Sequence, residues 1–232
     1  MIAENVARIR AEMAEAAVKA GRDPAEILLC AATKMNDADR VREAVAAGVD
    51  CCGENRVQEL TAKLADHAYD GVPVHFIGHL QTNKVRQVVG RVALIQSVDR
   101  VELLECIDRE AAKQGIIQDI LLEINIGAEA SKSGFTPEAV PEIAEKMEQF
   151  SNCRLRGLMA IPPISEKIGD NCRYFEKIHR ISVDITAKKY HNISMDILSM
   201  GMTDDFADAI ACGSTMVRVG TAIFGARDYT KK

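Results

Sequence analysis

Two stretches late in the sequence carry residue types suited to holding an anion against an apolar wall. In Ser214-Thr-Met-Val-Arg-Val-Gly-Thr-Ala-Ile-Phe-Gly225, an apolar run from Met216 to Val219 holds one charge, Arg218, and then meets Gly220-Thr221 at a new helical start. A glycine at such a junction lets backbone approach a ligand, and free N–H groups opening a helical turn favour an anion. Ile197-Leu-Ser-Met-Gly-Met-Thr203 repeats the design, with Ser199 and Gly201 at the same place. Taken alone, the first stretch also reads as an ordinary strand and turn in which Arg218 reaches a surface carboxylate. Two such turns at the end of an alternating α/β chain match the phosphate site of a TIM barrel, after strands seven and eight.

A third candidate is Lys34, directly after the apolar run Ile27-Leu-Leu-Cys-Ala-Ala32 and Thr33. Desolvation at the mouth of a barrel lowers an amine's pKa and makes it a Schiff-base nucleophile, whereas a lysine that simply reaches solvent from the loop has no such role. An amine, an arginine and two phosphate turns together suit a phosphorylated aldehyde. Other candidates carry less. His75 and His79 are four residues apart without a convincing third metal ligand, so a hydrogen-bonded structural role is the simpler reading. Glu54, Glu59 and Glu123 could act as acids or bases, and Lys132 in the loop from Glu129 to Gly134 could touch phosphate or form a lid, but each also fits a solvated position.

These residues need elements to position them. Val6, Ile9, Met13, Ala16 and Ala17 give a helix before Gly21, expected to pack outside the first strand. Apolar runs at 27–32, 49–53, 74–78, 92–97, 120–126, 155–161, near Ile197 and near Val217 predict eight strands, with helical segments between them. Asn36 or Asp37 opens a helix; Asn83 is expected to cap a short one ending at Gly90; Asp99 and Glu102 have capping-box spacing; Thr136-Pro137 marks another start. The count points to a single-domain (β/α)8 TIM barrel over residues 1–232 with an extra N-terminal helix, an open doubly wound sheet being the alternative.

Composition narrows the function classes. With 47% hydrophobic and 27% charged residues the chain is globular, and a net charge of -5 offers no electrostatic footprint for nucleic acid or acidic lipid. An acid near the N-terminus and the lack of a long apolar run leave no signal peptide or membrane span, so a cytoplasmic protein is expected. Seven cysteines, odd in number and mostly within apolar runs, read as reduced buried thiols and not as a disulfide framework or zinc site.

Pyridoxal 5′-phosphate (PLP) is the cofactor that needs a lysine Schiff base, a phosphate cradle and a partner for its ring nitrogen. Ala32-Thr33-Lys34, Gly53-Glu-Asn-Arg-Val-Gln-Glu59, His75-Phe-Ile-Gly-His-Leu-Gln-Thr-Asn-Lys84, Gln96-Ser-Val-Asp99, Ala130-Ser-Lys-Ser-Gly134, Arg156-Gly-Leu-Met159, Leu198-Ser-Met-Gly-Met-Thr203 and the stretch from Gly213 to Gly225 together resemble the PLP homeostasis proteins. These are single-domain relatives of the alanine racemase barrel, PLP fold type III. The resemblance implies Lys34 as the Schiff-base lysine and Asn55 close to the cofactor. It also implies Ser199, Gly201, Gly220 and Thr221 around the phosphate, and Arg218 against the pyridine nitrogen. Met35-Asn36 and Pro73-Val74 depart from the family pattern beside the site and put loop shape in question.

The resemblance implies a non-catalytic, monomeric protein that stores, buffers or delivers PLP, with PLP-dependent apo-enzymes as recipients. A PLP-dependent racemase is the alternative; it would need a second base, which alanine racemases take from a further β domain that is not expected here. A Schiff-base aldolase acting on a phosphorylated sugar would use the same lysine and turns, without an evident acid/base partner in this sequence.

Overall fold

The structure is a computed structural model that describes residues 1–129, 133–165, 167 and 169–225. The expected eight strands form: β1 (Leu28–Ala32), β2 (Cys51–Glu54), β3 (Val74–Phe76), β4 (Leu94–Val98), β5 (Gln118–Ile124), β6 (Cys153–Ala160), β7 (Ile193–Ser199) and β8 (Met216–Val219). All neighbours are parallel and β1 pairs with β8, so the sheet closes into a barrel and the open-sheet alternative falls. Short apolar strands joined by amphipathic helices can bury both faces only this way or in a doubly wound sheet, and the β1–β8 ladder decides between them.

Around the barrel lie α1 (Ile2–Lys19), α2 (Ala38–Ala46), α3 (Val57–Ala65), α4 (Val101–Gln114), α5 (Val140–Lys146), α6 (Cys172–Thr186), α7 (Phe206–Ala211) and α8 (Thr221–Phe224), with a 3-10 helix over Thr82–Gln87 between β3 and β4. The main core lies between strands and helices, where Leu29, Ala31, Phe76, Ile95 and Ile120 meet the helical stripes. The opposite strand faces fill the barrel with two smaller groups, Cys30, Cys51 and Met216, and Leu94, Leu121 and Met159. At the N-terminal ends of the strands Asp119 accepts from Arg154 Nε at 2.7 Å and from Arg156 Nη1 at 2.7 Å, an ionic seam on the end that serves stability in such barrels.

The N-terminal helix α1 packs against α2, α7 and α8, and its Val6, Ile9 and Met13 share one buried core with Leu29 and Ala31 of β1. Other local expectations are corrected. Asn83 sits inside the 3-10 helix, which begins after Gln81. The Asp99 carboxylate does not cap α4 because it pairs with His79 and Arg100, leaving Arg100 at the N-cap. Helix α5 starts at Val140, not at Pro137, since a helix begun there would put Pro141 in its interior without an N–H for the preceding turn.

One glycine is fixed by packing between strands. Gly157 has φ +152° beside an irregularity in the β6–β7 register, and a Cβ there would lie 1.8 Å from the Ile197 carbonyl oxygen. Neither strand can give way without breaking the barrel. Gly157→Ala is expected to cost roughly 2–4 kcal/mol, lowering Tm by roughly 5–15 °C; an unchanged Tm would show that β6 and β7 separate more easily than their pairing implies.

Candidate cofactor-binding site

The β1–β8 register, with Ala31 opposite Val219, brings the turn carrying Lys34 beside Gly220 and Thr221. A Cβ on Gly220 would stand 3.4 Å from both the Cβ and the carbonyl oxygen of Ala32, so the two strand ends touch. The backbone of Gly220 is at φ -118°, open to any residue; its missing side chain matters for approach, not conformation. Strands β7 and β8 are tied at the same end by Arg218 N donating to Gly201 O at 3.0 Å, and Thr203 Oγ1 lies 3.2 Å from Thr221 Oγ1. Lys34, Gly201, Gly220 and Thr221 thus meet at one mouth. Among the described residues, the Thr221 and Ala222 amides opening α8 have no acceptor.

Ser199 does not join that group through its side chain. It is fully buried, its hydroxyl donating to Gln96 Oε1 at 2.6 Å and accepting from Arg218 Nη1 at 2.7 Å. Thr203, which was not singled out from the sequence, is the hydroxyl beside Thr221. The repeat of small polar residue and glycine was the signal, but alternation along β7 points Ser199 into the barrel.

Arg218 is 5% exposed and donates to Ser199 O at 2.6 Å, to Ser199 Oγ and to Ala160 O at 3.0 Å. No described carboxylate pairs with it, so the surface ion pair offered as an alternative is not formed. These bonds use three of the five N–H groups of a guanidinium. Burial lowers its pKa, opposed by Cys30, Glu123 and Asp205.

The turn bearing Lys34 is clamped from α3 and β2. Lys63 Nζ donates to Thr33 O at 2.8 Å and to the buried Glu54 Oε1 at 2.5 Å, and lies 3.4 Å from Glu59 Oε2. Thr33 Oγ1 donates to the same Glu54 oxygen, and the Met35 amide donates to Glu59 Oε2 at 2.7 Å. Met35 is left-handed at φ +60°, an uncommon state for a side chain of this size, and the Glu59 bond holds it there. Glu54 and Glu59 are therefore structural in this arrangement, and Lys63 is a residue that sequence reasoning missed. Its spacing from Glu59, i and i+4 on α3, was visible; its burial was not.

Asn55 follows Glu54, and its Oδ1 is buried without a hydrogen-bond partner among the described residues. A Cβ on Gly78 would stand 2.2 Å from Asn55 O, so the turn after β3 presses directly on this residue. His75 lies 3.0 Å through Nδ1 from Gln96 Nε2 and His79 lies 3.1 Å from Asp99, the hydrogen-bonded roles expected of them. Cys51, together with His75 and Arg218, holds the Cys30 thiol below the usual thiol range against the opposing effect of burial. Lys132 lies outside the described residues.

A closed (β/α)8 barrel with a lysine after its first strand and anion-ready turns after its last two defines the class. The chain belongs to the alanine racemase N-terminal domain family, whose model matches residues 2–228, and within it to the pyridoxal phosphate homeostasis proteins. It is 43% identical over 229 residues to the protein of that name from Pseudomonas aeruginosa, covering 98% of this chain and 96% of the relative. To the one from Escherichia coli K12 it is 41% identical over 235 residues, covering 100% and 99%. The solved structure of PipY from Synechococcus elongatus with PLP bound superposes with a TM-score of 0.83 at 31% identity, covering 97% of this chain and 100% of PipY.

Two outcomes follow from the charges around the mouth. Lys63→Ala leaves Glu54 as an uncompensated buried charge and should cost about 3–5 kcal/mol in urea unfolding, whereas Lys63→Met with Glu54→Leu should recover most of it; a loss under 1 kcal/mol would show that Glu54 is solvated. Burial, with Asp99 nearby and Arg218 opposing, raises Glu123 from 4.5 to about 7. The folded chain then binds the extra proton between those values, so this group's stabilisation is full below pH 4.5 and is lost as pH rises to about 7. The stability of Glu123→Gln relative to the unsubstituted protein should therefore rise across that window and level off above it, and a difference independent of pH would place Glu123 in its ordinary range.

Proposed function

We propose that this chain binds PLP at the mouth of the barrel and stores, buffers or delivers it without turning over a substrate. The observation that carries the reading is the β1–β8 register, which sets Lys34 beside Gly220 and Thr221. PLP supplies an aldehyde that an amine can capture and a phosphate that can be held apart from it. Lys34 would form the Schiff base. Thr221 and Thr203, with the amides of Thr221 and Ala222 and the close backbone of Gly201 and Gly220, would bind the phosphate; Asn55 would line the cofactor with its unpaired oxygen. Ser199 would act indirectly, by orienting Arg218.

The residues fit the group. Asn55 Oδ1 is a buried acceptor in want of a donor, and Gly220 lacks the Cβ that would crowd the approach. Arg218 keeps two N–H groups beyond those it uses on the barrel, and as a permanent donor it would leave a ring nitrogen unprotonated. A protonated ring is the stronger electron sink, so Arg218 would lower the reactivity of the bound ring, and carriage is favoured over racemisation by the relatives' role and not by this residue. The names of the relatives, and PLP bound in PipY, support the same assignment.

All seven cysteines are free, as suits a cytoplasmic protein, and no described helix is long and apolar enough to cross a membrane. A monomer handing PLP to apo-enzymes would need only the exposed mouth.

Borohydride reduction of the PLP-loaded protein, followed by peptide mapping, should place the cofactor mass on Lys34; label on another lysine alone would overturn the assignment. Gly220→Val should weaken PLP binding more than Lys34→Ala does, since it obstructs the phosphate and not only the covalent link. Unchanged affinity in the Gly220 variant would move the phosphate elsewhere.

A further inference from the structure

Beneath the mouth, three donor side chains from three successive strands converge inside the barrel. Cys30 on β1, Cys51 on β2 and His75 on β3 place a sulfur, a sulfur and a ring nitrogen within 4.8 Å of one another, all buried. Cys30 and Cys51 are direct register partners, and Gly53 is the partner of His75. A Cβ on Gly53 would stand 3.0 Å from Cys30 Sγ, so the glycine lets that thiol sit against β2 next to the imidazole. Met216 shares one buried cluster with the two cysteines, and its thioether lies 3.2 Å from the same Gln96 amide nitrogen that reaches His75 Nδ1.

The donor set selects the ion. It contains no carboxylate, which hard cations require, and two thiolates with an imidazole suit a soft ion. Zinc in a closed site takes four nitrogen, sulfur or carboxylate ligands, whereas the neighbour available here is a thioether, a ligand typical of Cu(I). We propose that Cys30, Cys51 and His75 bind one Cu(I) ion, with Met216 as the soft fourth neighbour. This does not rest on the cofactor reading.

The charges balance locally. Two thiols release their protons to solvent as the ion enters, leaving the centre with one net negative charge. Arg218 is the register partner of Cys30 and a buried cation with no carboxylate bound among the described residues, so it supplies the opposite charge. Ligation through Nε2 keeps the His75 proton on Nδ1, and Gln96 accepts it once its amide turns over, the Ser199 hydroxyl then accepting from the Gln96 amide instead of donating to it; an outer hydrogen bond of this kind is common for metal-bound imidazoles. The same turn removes an N–H from the Met216 thioether and frees its lone pair.

The test is anaerobic titration of the reduced full-length protein with Cu(I) against a coloured Cu(I) chelator, with Zn(II) against its own chelator in parallel. One equivalent of Cu(I) should bind. Cys30→Ser and Cys51→Ser should each weaken binding by about 100-fold or more, while Cys106→Ser, on α4, should leave it unchanged. X-ray absorption of the unsubstituted copper-loaded protein should give two sulfurs and one nitrogen at bonding distance, a readout that stands even where a serine variant fails to fold. Absence of bound Cu(I), binding that survives both serine substitutions, or Zn(II) retained in preference to Cu(I) would each overturn the proposal.

Discussion

The contact on which the mouth depends is the buried pair between Lys63 on α3 and Glu54 at the end of β2. It joins three elements: Lys63 also holds the Thr33 carbonyl, and Glu54 also accepts from the Thr33 hydroxyl, so β1, β2 and α3 meet at one ammonium. Desolvating two charges costs several kcal/mol each, and a pair of packed apolar residues would serve stability equally well. What apolar residues could not supply is direction. The ammonium and the two carboxylates fix a turn whose next residue, Met35, is left-handed, and Lys34 lies between the two fixed points.

The barrel interior follows a similar logic lower down. A barrel of this size is filled by side chains, and branched aliphatics are the usual filling. Here Leu94, Leu121 and Met159 fill one side, while the other holds Cys30, Cys51, His75, Gln96, Ser199 and Arg218. Each polar group there has a named neighbour, as burial demands: Ser199 bridges Gln96 and Arg218, and Gln96 bridges Ser199 and His75. The chain of contacts runs from the cysteine pair to the guanidinium under the mouth. Whatever changes charge at one end is felt at the other in a medium that screens poorly.

The fold was legible because parallel strands covered on both faces read as apolar runs, and eight of them can be counted. Lys34, Gly201, Gly220 and Thr221 were legible because they follow such runs directly. What stayed hidden depends on side-chain direction or on pairing between strands. The bonds of Ser199 to Gln96 and Arg218 were not legible, because one step along a strand reverses a side chain. Asp99 looked like a cap until His79 and Arg100 took its carboxylate. Cys30, Cys51 and His75 are more than twenty residues apart in succession, and only the register of a closed barrel shows that they meet.

Carriage of a cofactor sets a different demand from catalysis. An enzyme must stabilise charge that develops on its bound group; a carrier must hold the group and let it go. Under the proposed reading, the covalent link forms at a half-buried lysine and the phosphate rests on an exposed threonine, so both attachments are reachable from solvent. In the same reading Arg218 would be the deep end of the site, and burial lowers its pKa without making it an acceptor. Such a guanidinium can orient a ring and cannot protonate it usefully. Under that reading the firm part of the structure is the part that would face the ring, and the attachments that would have to be broken lie at the surface.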